Sequence, residues 1–164
     1  MIQDALTLLA GSFSGNTVTG QSLAGASGTV NGTNVIDAGT GSPGLFSADG
    51  NLAAVVSVIQ GLAGATSVAF QLVQADDVNL TANVEVLASS APIPVANLGA
   101  GANIPLQTRG DGPSGVKRRY FALQSVIIGG PLTAGSITAS LTDTVPDTVA
   151  NLANTIYKAN SLVL

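Results

Sequence analysis

The chain has no cysteine, no histidine and no tryptophan, and only five basic and nine acidic residues among 164. Each shortage closes a class of chemistry. Without Cys there are neither disulfides nor thiolate metal sites, and the redox compartment leaves no record. Without His, a Ser-His-Asp arrangement lacks its base, and zinc loses the ligands it uses in nearly every site. Glu85 is the only glutamate. Asp76 and Asp77 point to opposite faces of an extended chain, so a carboxylate pair for glycoside cleavage has no local source. No Gly-rich phosphate-binding fingerprint precedes a helical pattern. The expectation is a protein that is not an enzyme and holds no cofactor or metal. Asp37, Asp49, Asp76, Asp77 and Asp111 lack the regular spacing of a calcium loop and read as turn-forming residues.

Charge of either sign is scarce as well. Charged residues make up 9% of the chain, against roughly 25–35% of a typical soluble surface, which points to surface that lies against partners. The net charge of −4 gives no general attraction to nucleic acid or anionic membrane. The N-terminus lacks the basic start and apolar core of a signal peptide. The longest apolar runs, such as Leu52–Ile59, fall far short of the ~20 residues of a spanning helix. A soluble protein made inside the cell is expected. What is plentiful is apolar and small, with 46% hydrophobic residues and 20 glycines, enough for the core of one domain.

The pattern of those residues is that of short strands. Leu52–Gln60 is nearly all apolar and rich in Val and Ile, which predicts a central strand covered on both sides. Ser67–Gln74 alternates, with Val68, Phe70 and Leu72 on one face and Ala69, Gln71 and Val73 on the other. Leu80–Ala88 repeats the alternation, with Val84 and Val86 against Asn83 and Glu85. Ala91–Pro94 suits an edge strand or an extended crossing because its prolines cannot serve a ladder interior, and Asn103–Gln107 reads as a short edge strand. In the stretch Gly115–Leu141, Phe121, Leu123 and Ile127 share a face, and so do Ile137, Ala139 and Leu141. A half-buried strand pair with a long connection through Gly129-Gly130-Pro131 is predicted there. Val30-Asn31-Gly32-Thr33 carries a type I′ hairpin signal, and Thr33–Ile36 reads as a short strand. Gly11–Gly32 is otherwise Gly, Ser, Thr and Asn, predicting a long loop or insertion. Met1–Leu9 fits a strand or a short helix. About eight strands between Gly/Pro/Asn/Asp turns predict an all-β sandwich or barrel.

Several of these segments resemble the capsid cement (head decoration) proteins of certain tailed bacteriophages. GGPLTAG with its following strand, the preceding RRY strand, the N-terminal MIQDALTLL, TNVIDAG at Thr33–Gly39 and LASSAPIPVANLGAG at Leu87–Gly101 occur in the family's order. The resemblance implies a jelly-roll-like β-sandwich over residues 1–143, with Met1–Leu9 in its core as a strand. It implies a structural virion protein on the outer surface of the capsid, made in the host bacterial cytoplasm. The implied partners are the major capsid protein, whose neighbouring subunits it would bridge and stabilise, and itself, as a homodimer or alternatively a trimer. Direct contact with nucleic acid or membrane is not expected. The Gly/Ser-rich 11–32 segment and the tail 144–164 depart from the family pattern.

The contact residues expected from this reading fall in two groups. Lys117, Arg118 and Arg119 with Arg109 form the chain's basic cluster, which fits an acidic surface of another protein. A plain solvated strand start is the other reading, with Arg118 facing water and the stem of Arg119 covering apolar surface. In the tail, Pro146-Asp147-Thr148 starts a helical pattern that puts Val149, Leu152, Ala153, Ile156 and Tyr157 on one face. Leu152, Ile156, Leu162 and Leu164 are its candidate subunit or capsid contacts; the alternative is that the tail packs on its own sandwich. Two further functions remain open: a carbohydrate- or receptor-binding sandwich of a fibre or spike, and a self-assembling shell subunit. Sugar sites favour aromatic platforms, and two Tyr and four Phe leave Tyr120 as the plausible one.

Overall fold

The structure, a computed structural model, describes residues 7–15, 17–39, 53–107 and 113–142. Among these the strands are β1 (Leu8–Ala10), β2 (Ser12–Ser14), β3 (Thr17–Thr19), β4 (Gln21–Ser22), β5 (Gly28–Asn31), β6 (Ile36–Asp37), β7 (Ala53–Ala63), β8 (Ser67–Ala75), β9 (Glu85–Ser89), β10 (Ile93–Pro94), β11 (Asn103–Gln107), β12 (Tyr120–Ile128) and β13 (Ala134–Thr142). Val95–Asn97 forms a single 3-10 turn. The chain is an all-β, jelly-roll-like sandwich.

Its organising feature is one antiparallel ribbon bent in the middle. Ala54 pairs with Leu141 and Val58 with Ile137 in the first sheet. Val68 pairs with Ile127, Leu72 with Leu123 and Ala75 with Tyr120 in the second. The residue numbers of all five pairs have the same sum, so one register runs through both sheets. The outer strands follow the same rule. Ser57–Asn103 and Ala54–Leu106 flank the ribbon in the first sheet, and Gln71–Ser89 and Leu72–Ala88 continue that register in the second. On the other flank β1 and β4 pair with β13, and β5 and β6 pair with β12. Each sheet therefore has four strand positions in the same order. The predicted pairing of Tyr120–Ile128 with the strand at Ser136–Leu141 does not form, because the connection between them crosses the core instead of turning back. β12 and β13 lie in different sheets, joined respectively to β8 and β7.

The inward faces follow the alternation of the sequence. Phe70, Leu72, Leu123, Val56, Val58 and Ile137 are fully buried between the sheets; each such side chain contributes about 1.5–3 kcal/mol on burial. The outward residues Val73, Ala75 and Ala122 are buried too, because Leu80 packs on that face with Val35. Leu80 comes from the connection between β8 and β9, which is wound around the carboxylate of Asp77. That group accepts N–H bonds from Asn79, Thr81 and Ala82, the shortest being 2.7 Å. The winding places Leu80 at φ 56°, a strained conformation for a side chain with Cβ. It also shortens the strand expected over Leu80–Ala88 to β9 and leaves Val84 and Val86 exposed.

Three expectations near the N-terminus change. Gly11–Gly32 holds β2 to β5: β2 and β3 form a hairpin, while β4 and β5 bind the free edges of β13 and β12. Backbone pairing with an existing edge satisfies these weakly apolar residues, which composition alone does not reveal. Asn31-Gly32 is not a hairpin turn. Gly32 instead donates its N–H to the Leu123 carbonyl at 2.7 Å, and β5 and β6 lie along the same partner strand. The strand expected at Thr33–Ile36 is confined to Ile36–Asp37. Of Met1–Leu9, the described part contributes Leu8 and Leu9 to β1, in the core. Asn103–Gln107 is an edge strand as expected. The tail beyond Thr142 lies outside the described residues.

Candidate functional site

The two ends of the sandwich differ in chemistry. Every charged side chain among the described residues, namely Asp37, Asp76, Asp77, Glu85, Lys117, Arg118 and Arg119, belongs to one end of the second sheet. Register places them there: Ala75 leaves β8 opposite Tyr120, which starts β12, and Asp37 pairs with Tyr120 from the other side. Arg118 Nη1 donates to both oxygens of Asp76 at 3.0 and 2.9 Å, and Nη2 donates to Glu85 at 3.2 Å. Gln74, buried at the end of the core, ties this group to the fold. Its amide donates to Glu85 and to the Val116 carbonyl, both at 2.8 Å, and its oxygen accepts the Arg118 backbone N–H. Arg118 Nε is buried there without a partner. Arg119 makes a two-pronged bond to Asp37, with both N–O distances 2.7 Å, and its guanidinium lies 5.0 Å from the Tyr120 ring centre.

These contacts fix the charge states. The Arg119 fork, helped by the Gly39 N–H, holds Asp37 at about 2. Asp76 is lowered by the Asn83 amide and then by Arg118. Asp77 is lowered by the backbone N–H of Ala82 and the donors of Thr81 and Asn79. Glu85 is lowered by the Ser114 hydroxyl, the Gln74 amide and Arg118. Both arginines are raised, chiefly by hydrogen bonds to Asp76 and to Asp37 respectively. A general acid or base works best with a pKa near the operating pH; these carboxylates are held in their anionic form instead. Among the described residues, no group of His, Cys, Asp or Glu could hold a metal ion.

Of the predicted contact residues, Lys117, Arg118 and Arg119 come together at this end, while Arg109, Leu152, Ile156, Leu162 and Leu164 lie outside the described residues. The roles of the two arginines depart from expectation. Arg118 does not face water; its side chain is only 13% exposed, whereas that of Arg119 is 42% exposed. Both engage carboxylates of their own chain. Asp37, Asp76 and Glu85 come from three distant segments. The sequence marked two of them only as turn residues and Glu85 only as a strand position, and long-range register makes them a cluster. Val78 and Val116, both near half exposed, stand beside it.

The opposite end is made by the bends of the ribbon and, among the described residues, carries no charged side chain. Residues 23–27, 64–66, 95–102 and 129–133 each pass from one sheet to the other there. Each crossing buries an apolar side chain in the end of the core: Leu23, Ala65, Leu98 and Leu132. Backbone hydrogen bonds join neighbouring crossings, from Gly25 to the Leu132 carbonyl, Leu132 to Ala26, Thr133 to Ala63, Thr66 to Ile128 and Val95 to Thr66. The ladder thus continues over the bend. Two glycines make this close approach possible. Gly129 (φ +81°) abuts Thr66, and Gly64 (φ +100°) lies where a Cβ would meet the Thr133 nitrogen at 2.6 Å. Among the described residues its outer surface is Gly, Ala, Pro, Ser, Thr and Asn, bordered by the exposed side chains of Ile59 and Ile128.

The described residues thus form a β-sandwich on a cross-sheet ribbon, with ion pairs gathered at one end. The chain belongs to the Bbp16 family, whose model matches residues 18–141, from β3 to the last buried residue of β13. No curated protein matches it.

Proposed function

We propose that this protein is a structural virion component: a cement protein on the outside of a tailed-phage capsid that bridges and stabilises neighbouring major capsid subunits. The observation that carries the reading is the distribution of charge. Arg118 and Arg119 pair with carboxylates of their own chain, and away from that end the described surface presents uncharged side chains on a rigid sandwich. Such a surface suits lasting contact with protein, since interface cores are depleted of charged residues. A protein that binds the assembled shell and not free subunits stabilises the shell by mass action, and many symmetric copies add their effects. Self-association as a dimer belongs to the same reading. A sugar-binding role is less well supported, because the guanidinium of Arg119 already covers the Tyr120 ring.

Co-sedimentation with expanded capsids lacking the protein, and with unexpanded procapsids as the control, tests the proposal. Saturable binding to expanded shells at a fixed ratio to the capsid subunit is expected. Absence of binding to either particle, with large assemblies formed by the isolated protein, would replace it with a self-assembling shell subunit.

A further inference from the structure

We infer that the uncharged bend of the ribbon is the end that stands on the shell, and that it fits a capsid surface which is itself uncharged and weakly polar at the contact. This rests on the cement reading and adds the orientation and the chemistry of the partner. Three observations converge on it. Every charged side chain among the described residues lies at the far end, so docking by the bend takes none of these ions out of water, a removal that is costly for an unpaired ion. A partner charge buried against this end would find no counter-charge, which makes an uncharged partner face the complementary one.

The bend is also preorganised. The cross-bonded backbone of its crossings and the buried leucines beneath them leave little to order on binding, and preorganised surfaces lose less affinity to conformational entropy. Ile59 and Ile128, 52% and 42% exposed, supply apolar area, and Gly99, Ala100 and Gly101 let a partner approach the backbone closely. Finally, most of the described segments begin and end away from the bend. Thr7, Gly39, Ala53, Gln107, Pro113 and Thr142, which bound the longer undescribed segments, lie at the far ends of the two sheets, while Gly15 and Thr17 flank Asn16 at the tip of the β2–β3 hairpin.

The test uses full-length protein and expanded capsids lacking it. Ala100→Asp, Ala100→Lys and Ile128→Lys place charge on the bend at exposed positions, and Val78→Asp places it at the far end; thermal melts confirm that each variant is folded. Loss of capsid affinity by about tenfold or more in the bend variants, irrespective of sign, with Val78→Asp binding as the parent does, is the expected result. Wild-type affinity should change by less than about threefold between low and high salt. If Val78→Asp abolishes binding and the bend variants bind normally, the orientation is wrong and the cement reading survives. Opposite effects of Ala100→Asp and Ala100→Lys would overturn the uncharged partner. Failure of the wild-type protein to bind any capsid rejects the cement reading, and the orientation with it.

Discussion

The two ends of this sandwich achieve rigidity by opposite means. At the bend, order comes from apolar side chains dropped into the core and from backbone hydrogen bonds that cross from one sheet to the other. At the charged end it comes from side chains: Gln74 buried beneath Arg118, and carboxylates of distant segments gathered on two arginines. Burial of apolar surface is robust to salt and pH, whereas exposed ion pairs contribute little and are screened. Charge here closes off one end of a fold whose stability resides elsewhere.

The strongest challenge to that contrast is a cavity at the bend. Leu132→Ala removes a fully buried side chain and should cost about 2–5 kcal/mol, read as a lower midpoint in denaturant. Gly129→Ala forces a Cβ onto Thr66 at positive φ. It should cost roughly 2–4 kcal/mol through strain and overpacking; an unchanged midpoint would show that the bend is not tightly built. At the other end Gln74→Leu leaves the Val116 carbonyl and the Arg118 N–H without their partner, for an expected loss of about 1–3 kcal/mol. Should it exceed Leu132→Ala, the ranking of the two ends is reversed.

The smallest effect is one of pH. Asp37 is lowered from 3.8 to about 2, and Asp76, Asp77 and Glu85 are lowered as well. A lowered carboxylate contributes stability that is complete above its unfolded value and is lost as pH falls through its folded value. Stability should therefore hold from neutral down to about pH 5 and decline toward about pH 2. The raised arginines keep their contribution throughout this range and lose it only at strongly alkaline pH. Asp37→Asn should flatten part of the acid decline in thermal melts; an acid limb identical to the parent's would show that the Arg119 pair adds nothing.

The β class, the inward faces of β8, β12 and β13 and the edge character of β11 were legible in the sequence, because side-chain alternation reports burial directly. Sheet membership was not. β12 and β13 read as neighbours since a connection such as Gly129–Thr133 says nothing about whether the chain turns back or crosses. The basic cluster was legible as residues, and its neutralisation was not, because Asp37 and Asp76 are distant in sequence and reach it only through the register of β6 and β8. The structure of Gly11–Gly32 was hidden for the same reason, its order being supplied by the strand edges it covers.

The most direct measurement is hydroxyl-radical footprinting of the protein free and bound to expanded capsids. A bend seated on the shell predicts protection on binding at Ile59, Ile128 and Pro131, with Val78 and Val116 labelled as in the free protein. Protection of Val78 and Val116, with the bend left open, would contradict it.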